Sequence, residues 1–182
     1  HVEFAAHLHP WVNPPLSTSF TDKVPEQFSY PGNLPEDEEY NKLSTLTKER
    51  AKAAKQSPVT YLAGRYGIGK NTPKILKKLG YKIDVSISPF VDYTHQYGPD
   101  FSRYNNDEFS TNTILYWPHT SAIVSPLPFA RKYFNHSPAA YSKASLWRKV
   151  MRKIVRAKLH RLSPEGFSLT DMQNVTKYQY EL

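Results

Sequence analysis

The stretch TYLAGRYGIGKNTPKILKKLGYKIDVS (residues 60–86) predicts a strand, a glycine-rich turn, a short helix and a second strand. Residues 58–63 are rich in β-branched and aromatic side chains, and residues 81–87 alternate between polar and apolar ones, as strands do. Gly80 ends the helix predicted over residues 73–79, because glycine readily takes the left-handed conformation that closes many helices. This order of elements is typical of parallel β/α units.

The same stretch shares a spacing with the G-x-x-x-x-G-K-[ST] loop that binds nucleotide phosphates. Gly64, Gly69 and Lys70 match that spacing. The next residue of such a loop carries the hydroxyl that coordinates Mg²⁺, and here it is Asn71. Pro73 also removes one backbone donor from the first helical turn. We therefore predict an ordinary glycine-rich turn and no nucleotide cofactor.

The remaining segments extend the alternation of strands and helices. Acidic residues open and basic residues close a helix predicted over residues 36–56, as the helix dipole favours. Residues 10–35 contain six prolines and are predicted to be mostly loop. After residue 90 we predict a strand at 113–117, loop to residue 138, a basic helix over 141–162 and a last helix from Leu169 capped by Ser168. The fold class is therefore α/β, in which ligands gather beyond the carboxyl ends of the strands.

Length and composition set the protein class. The chain has 182 residues and a mass of 21.0 kDa, which suits one domain spanning residues 1–182. Cysteine is absent, which excludes disulfides, thiolate zinc sites and cysteine nucleophiles and leaves the compartment open. No apolar run approaches the roughly 20 residues of a membrane-spanning helix, and we see no signal-peptide pattern. These features predict a soluble protein without a membrane span.

Positive charge is concentrated in residues 141–162. This segment holds eight basic and no acidic residues, so it accounts for the whole net charge of +8. One interpretation is a solvated basic helix whose apolar stripe packs on a sheet. The other is a basic face that binds an anionic partner: acidic polysaccharide, nucleic acid or a membrane surface. The apolar stripe consists of Leu146, Val150, Ile154, Leu159 and Leu162.

Two histidines in EFAAHLHPWVNPP (residues 3–15) are the candidate metal ligands. His7 and His9 are two residues apart, so on an extended backbone both imidazoles project to one side and could share a metal. Such a pair can equally serve packing or lie on the surface. A catalytic zinc needs a third protein ligand. The candidates for that ligand are Asp84, Asp92, His95 and His119.

Several unusual strings occur together in this chain. They are EFAAHLHPWVNPP, SYPGNLP, YLAGRYGIGKNTPKILKKLGYKIDVSISP, DYTHQYGPDFS and LSPEGFSLTDM. With them the chain resembles the NodB-homology polysaccharide deacetylases, in particular the WalW-like group, over residues 3–172 and least over 121–162. The resemblance implies a partial or distorted (β/α) barrel. It also implies a carbohydrate N-deacetylase, which is a hydrolase acting on non-peptide C–N bonds. Such an enzyme removes N-acetyl groups from amino-sugar polymers and uses a divalent metal, for which zinc is the first candidate.

The resemblance also assigns roles to residues. In the family an Asp and two His hold the metal, a second Asp is the general base and a late His is the general acid. His7 and His9 resemble the two metal histidines, although many relatives separate them by three residues. The backbone N–H of Arg65 falls where an oxyanion donor is expected. Trp11, Tyr66 and Asp92 are the implied substrate contacts.

Three departures from the family put activity in doubt. The paired-aspartate motif lies upstream of His7 in the family, and the acid histidine follows the LSPEG segment, so neither falls within residues 1–182. Leu62 also stands where an Arg usually pairs with the base Asp. We therefore expect either a fragment of an active enzyme, with residues lost before His1, or a truncated relative that is inactive as it stands. The bacterial-type family implies a cytoplasmic or cell-envelope protein.

A non-catalytic function is the alternative. Such a protein would bind glycan or another polyanion with the basic helix of residues 141–162, while nucleic acid is a less favoured partner. Its stacking surfaces would be Trp11, Tyr66, Tyr93 and Trp117. A barrel without its flanking strands would have open sheet edges, which predicts a homo-oligomer.

Overall fold

The computed structural model describes residues 3–16, 24–111, 113–142, 145–163 and 166–179. These residues form two compact units. The first comprises the described parts of His1–Ile87, Tyr93–Pro99 and Glu108–Trp117. The second comprises those of Ser88–Asp92, Asp100–Asp107 and Pro118–Leu182.

A five-stranded, mostly parallel sheet forms the centre of the first unit. Its strands lie in the order β1-β2-β3-β5-β4; β1, β2, β3 and β5 are parallel neighbours, and β4 pairs with β5 in the antiparallel direction. The bounds are β1 Ala6–Leu8, β2 Thr60–Ala63, β3 Ile83–Asp84, β4 Phe109–Thr111 and β5 Ile114–Tyr116. The predicted α/β class with parallel strands is thereby confirmed.

Two helices cover one face of this sheet. Helix α1, Glu36–Ala54, contacts β1 and the second helix, α2, Thr72–Leu79, which also contacts β5. Their buried side chains include Leu43, Ile75 and Leu76. Both helices were predicted from the sequence, and Gly80 ends α2 with a φ of 87°, as expected. Burying these apolar side chains against the strands supplies the main favourable term for this unit.

Strand register decides which side chains meet. Tyr61 of β2 is paired with Ala6 of β1 and with Asp84 of β3, and all three are buried on the helix-covered face. The next pair along the two strands is His7 with Leu62, and because side chains alternate along a strand, these two point to the other face of the sheet. Alternation along the strands therefore separates the histidine from the buried aspartate.

The strand predicted over residues 81–87 is shorter than expected. Regular pairing ends at Asp84, because side chains take over the hydrogen bonds that a longer strand would make. The Ser86 hydroxyl accepts a 2.8 Å bond from the N–H of Ala63, and the N–H of Ser86 donates to Asp84 Oδ1 at 2.8 Å. The backbone beyond β3 is thus tied to β2 by a serine side chain.

A crossing of two backbones ties the proline-rich segment to the glycine-rich turn. The N–H of Gly32 donates a 2.7 Å bond to the carbonyl of Gly67. A Cβ atom on Gly32 would overlap the backbone of Gly69, and one on Gly69 would overlap that of Gly32. Both positions therefore require glycine, because the chains pass too close for any side chain.

The second unit contains an antiparallel strand pair with helices. Strand β6, Ser121–Val124, pairs with β7, Lys158–Arg161. The helices are α3 Pro128–His136, α4 Pro138–Ser142, α5 Leu146–Ile154 and α6 Leu169–Gln179. A cluster of buried apolar side chains lies between β6, α3, α4 and the end of α5: Phe90, Ile123, Ala130, Phe134, Ala140 and Val155.

Two sequence predictions for this unit are wrong. The loop expected between residues 118 and 138 contains β6 and α3, because Ile123 and Phe134 are drawn into the core. The basic helix expected over residues 141–162 is α5 only, and it ends at Ile154. Val155 then enters the core and Arg156 takes a left-handed φ of 51°, so the chain turns into β7. The expected cap of α6 is confirmed, since Ser168 Oγ accepts from the N–H of Asp171 at 3.2 Å.

Among the described residues, no helix is both long and apolar enough to cross a bilayer.

Candidate functional site

The two candidate metal histidines lie together at the carboxyl end of β1. The centroids of the His7 and His9 rings are 4.4 Å apart, and the ring planes are nearly perpendicular. The Nδ1–H of His7 donates to the carbonyl of Leu62 at 2.9 Å, because a carbonyl oxygen can only accept. This bond leaves Nε2 of His7 with its lone pair, the usual arrangement of a metal-binding imidazole.

His9 is held by a tight turn. Its carbonyl accepts from the N–H groups of Val12 (3.2 Å) and Asn13 (3.0 Å), and its own N–H donates to Asn13 Oδ1 at 2.6 Å. Within the described part of the chain, Nδ1 of His9 is buried without a hydrogen-bond partner. Burial, and next the neighbouring His7 ring, lowers the pKa of His9, which favours the neutral imidazole. A neutral, unpartnered ring nitrogen suits a cation.

The glycine-rich turn contacts this pair directly. A Cβ atom on Gly64 would lie 2.5 Å from Nδ1 of His9 and 2.5 Å from the carbonyl oxygen of Leu8. Arg65 and Tyr66 follow with left-handed φ values of 55° and 59°. Such strain in residues other than glycine is typical of functional turns. The turn brings the Arg65 amide, the candidate oxyanion donor, next to the residue that packs on His9.

The side chain of Arg65 has a separate, structural task. Its guanidinium donates to Ser29 Oγ at 2.8 Å and to Gln96 Oε1 at 3.0 Å. It also lies over the ring of Tyr30, 4.5 Å from the centroid. These contacts fix the turn to two neighbouring segments, so what Arg65 offers to the site is its backbone amide.

Neither Asp84 nor His95, the two candidate third ligands in the first unit, completes the site. Asp84 points to the opposite face of the sheet from His7, as the register requires. His95 is exposed, with Nε2 2.9 Å from the amide nitrogen of Gln96. Asp92 and His119 belong to the second unit. Among the described residues, no group of three or more His, Cys, Asp or Glu side chains could hold a metal ion.

The implied substrate contacts fall in different places. The Trp11 ring is 41% exposed and its centroid is 4.5 Å from that of His9. Tyr66 stacks on Tyr93 with centroids 6.0 Å apart. Asp92 lies in the second unit, where it forms an isolated backbone bridge with Asp100. Of the three implied contacts, Trp11 is the one whose ring lies against the histidine pair.

A buried lysine, which no sequence motif singled out, positions the loop after His9. Nζ of Lys42 donates to the carbonyls of Pro10 (3.1 Å), Asn13 (3.3 Å) and Pro15 (2.5 Å). Only 1% of this side chain is exposed, and burial lowers its pKa. Its position beside Leu43, on the helix face that also carries Glu39, was the available signal.

Two carboxyl groups are buried under the helix-covered face. Glu39, Tyr61 and Asp84 are fully buried, and each has one oxygen without a hydrogen-bond partner among the described residues. Burial raises the pKa of Glu39 to about 7 and that of Asp84 to about 6. Burial also raises the pKa of Tyr61 well above its ordinary value, and the Asp84 and Glu39 charges add to that rise. A carboxyl group that resists ionisation is a poor cation ligand, which argues further against Asp84 as the third ligand.

Comparison of the chain with protein-family models, with curated proteins and with solved structures gave no match. The resemblance to polysaccharide deacetylases therefore stays a prediction.

Proposed function

We propose that the chain is a polysaccharide deacetylase-like unit of the NodB type, built on a partial or distorted (β/α) barrel. Its reaction class is the metal-dependent removal of N-acetyl groups from amino-sugar polymers. The observation that supports this proposal is the contact between His9 and the Gly64 turn at the carboxyl end of the parallel strands. Ligand sites of parallel α/β sheets occur at this edge.

The residues present fit two positions of a metal site. Nε2 of His7 carries a lone pair, and Nδ1 of His9 is buried and unpartnered within the described chain. We propose that these nitrogens hold a divalent ion, zinc in the first place. When bound, such an ion supplies an acidified water and a polarised amide carbonyl.

The chain's own groups act around that ion. In a complete site, the Arg65 amide would donate to the carbonyl oxygen of the scissile N-acetyl group as negative charge develops on it. The exposed face of Trp11 stacks on a sugar ring and orients the polymer, since aromatic faces suit the apolar faces of sugars. Neutral His9 avoids electrostatic repulsion of the ion.

The described residues do not supply a complete catalytic set. A catalytic zinc needs three protein ligands, and each proton-transfer group contributes roughly 10²–10⁴-fold to the rate. We therefore propose that the 182-residue chain binds the ion weakly and releases acetate no faster than the free ion does.

Zinc titration calorimetry tests the binding part of this proposal. We expect one zinc site in the wild-type chain, lost in His7→Ala and in His9→Ala. His95→Ala is the matched control, because His95 is an exposed histidine bonded to its neighbour Gln96. Equal zinc binding by the wild type and both site variants would refute the metal site.

An acetate-release assay on N-acetylglucosamine oligomers tests the activity. We expect no acetate above that of a zinc-only control. Release that disappears in His7→Ala would show a functional deacetylase and would overturn the expectation of inactivity.

A further inference from the structure

Helix α5 turns its apolar side chains toward solvent. The exposed fractions are 79% for Leu146, 70% for Trp147, 41% for Val150 and 64% for Ile154. At 100° per residue these four positions fall within an arc of about 100° on one side of the helix. Leu146, Val150 and Ile154 belong to the predicted apolar stripe, which in one interpretation packs on a sheet; in the structure these three side chains and Trp147 form an exposed surface, which we call the α5 apolar face.

The opposite side of α5 is anchored by cations. Arg148 Nη1 donates to the carbonyl of Ala139 at 3.3 Å, and Arg152 Nη1 donates to that of Tyr141 at 2.6 Å. The Arg152 guanidinium also lies 4.9 Å from the centroid of the Tyr141 ring. The Tyr141 hydroxyl in turn accepts from the N–H of Leu159 in β7 at 2.9 Å. This network fixes the rotation of the helix, so the apolar face cannot turn inward without breaking it.

Further cations lie beside the apolar face. Lys149 and Lys153 follow it on one side of the helix, and both line an open groove of about 1250 Å³. Arg152, Arg156 and Lys158 also line this groove. Its acidic residue, Asp171, is paired with His160 at 3.1 Å. The surface therefore combines exposed apolar side chains with a row of positive charges.

We infer that α5 binds the surface of anionic lipid bilayers. Transfer of leucine, valine and isoleucine side chains from water to the boundary of the acyl chains lowers the free energy. A polysaccharide or nucleic acid offers these side chains mostly polar surface, so binding to either would bring less of this gain. Trp147 suits the headgroup level, where tryptophan is enriched in membrane proteins. Lys149 and Lys153 meet the negative headgroups. The helix lies in the plane of the interface, and the inference is independent of the proposed deacetylase activity.

Vesicle co-sedimentation tests this inference. The probe is a phosphatidylcholine vesicle with about one-third phosphatidylglycerol, compared with pure phosphatidylcholine. We expect binding to the anionic vesicles that weakens with added salt. Trp147→Ser should weaken it about tenfold or more, because the indole no longer enters the interface. Trp117→Ser is the matched control, since Trp117 is 55% exposed in the other unit.

Charge and folding are tested separately. Reversing Lys149 and Lys153 to glutamate should weaken vesicle binding at least about tenfold. Far-ultraviolet circular dichroism should show unchanged helix content in each variant. If Trp147→Ser misfolds, Val150→Ser replaces it as the test of the α5 apolar face, and it should weaken vesicle binding as well.

Three outcomes would overturn the inference. One is equal vesicle binding by Trp147→Ser and Trp117→Ser. Another is retention on dextran sulfate without vesicle binding, which would indicate the polyanion-binding alternative. The third is a dimer, seen by light scattering, that Trp147→Ser dissociates, which would make a second copy of the chain the occupant of the α5 apolar face.

Discussion

Gly64 lies against His9 so closely that a Cβ atom on it would be 2.5 Å from Nδ1 of the imidazole. The His9 ring can keep its position only if residue 64 of the turn has no side chain. The turn residue nearest to the histidine pair can be no larger than glycine.

Gly64→Ala is therefore expected to displace the His9 ring. The new methyl group would also press on the carbonyl of Leu8, so we expect a loss of about 1–3 kcal/mol in the free energy of unfolding. Zinc binding should fall to the level of His9→Ala. Gly80→Ala is the control, because Gly80 is left-handed with nothing within 4 Å of its Cβ position. It should cost stability and leave zinc binding intact; unchanged zinc binding by Gly64→Ala would disprove the coupling.

Stability should fall as the pH rises through the range between the unfolded and folded pKa values of Glu39. Burial raises its pKa from 4.5 to about 7, so the folded state keeps a proton that the unfolded state has released. Protonation of Glu39 in the folded state stabilises the protein by on the order of 3 kcal/mol below pH 4.5, and this stabilisation is lost by about pH 7. Urea unfolding at several pH values measures it.

Glu39→Gln should flatten that pH dependence. The glutamine oxygen can still accept from Thr72 Oγ1, which bonds Glu39 Oε1 at 2.5 Å, and it does not titrate. Burial also raises the pKa of Asp84 to about 6, so in Glu39→Gln the free energy of unfolding should still fall with pH, but less steeply. Exposed Asp37→Asn is the control and should behave as the wild type. A slope equally steep in Glu39→Gln would contradict this assignment.

Lys42→Met should loosen the loop that follows His9. The substitution leaves the carbonyls of Pro10, Asn13 and Pro15 without their donor, and we expect a loss of about 2–4 kcal/mol. Zinc binding should weaken as well, since Asn13 holds His9 in place. Lys48→Met, on the exposed side of the same helix, is the control for thermal unfolding. Equal melting temperatures of the two variants would rule out this role for Lys42.

Arg65→Lys should separate the structural and functional parts of that residue. A lysine cannot donate to both Ser29 and Gln96 in the planar geometry of a guanidinium, so we expect a loss of about 1–2 kcal/mol. Its backbone amide is unchanged, and zinc binding should persist. The two measurements are denaturant unfolding and calorimetry; loss of zinc binding would indicate that the guanidinium itself supports the site.

Elements whose local signals agree with their packing could be predicted from the sequence. Helix α1 has its acidic start, and α2 has the glycine that ends it. The spacing of His7 and His9 correctly placed their rings together, because residues two apart on a strand share a face. Periodicity failed at α5, where the helical pattern continued past Ile154 but Val155 was needed in the core.

Other features depend on partners distant in sequence. Helix α3 begins at Pro128, a residue type that suits the first turn of a helix, but the sequence prediction for this region was loop up to residue 138. The burial of Lys42 depends on carbonyls 27 to 32 residues away. The raised pKa of Glu39 likewise depends on how deeply its carboxyl group is buried, which is set by the elements packed against α1.

The crossing of Gly32 over Gly69 affects how similarity between this chain and other sequences should be interpreted. The strings SYPGNLP and YLAGRYGIGK look like two motifs, but each requires glycine where the other's backbone passes. A change on one side is excluded by the other side, whatever reaction the protein performs. Any chain that keeps this crossing must therefore keep Gly32 and Gly69 together, and sharing the two glycines counts as one inherited character.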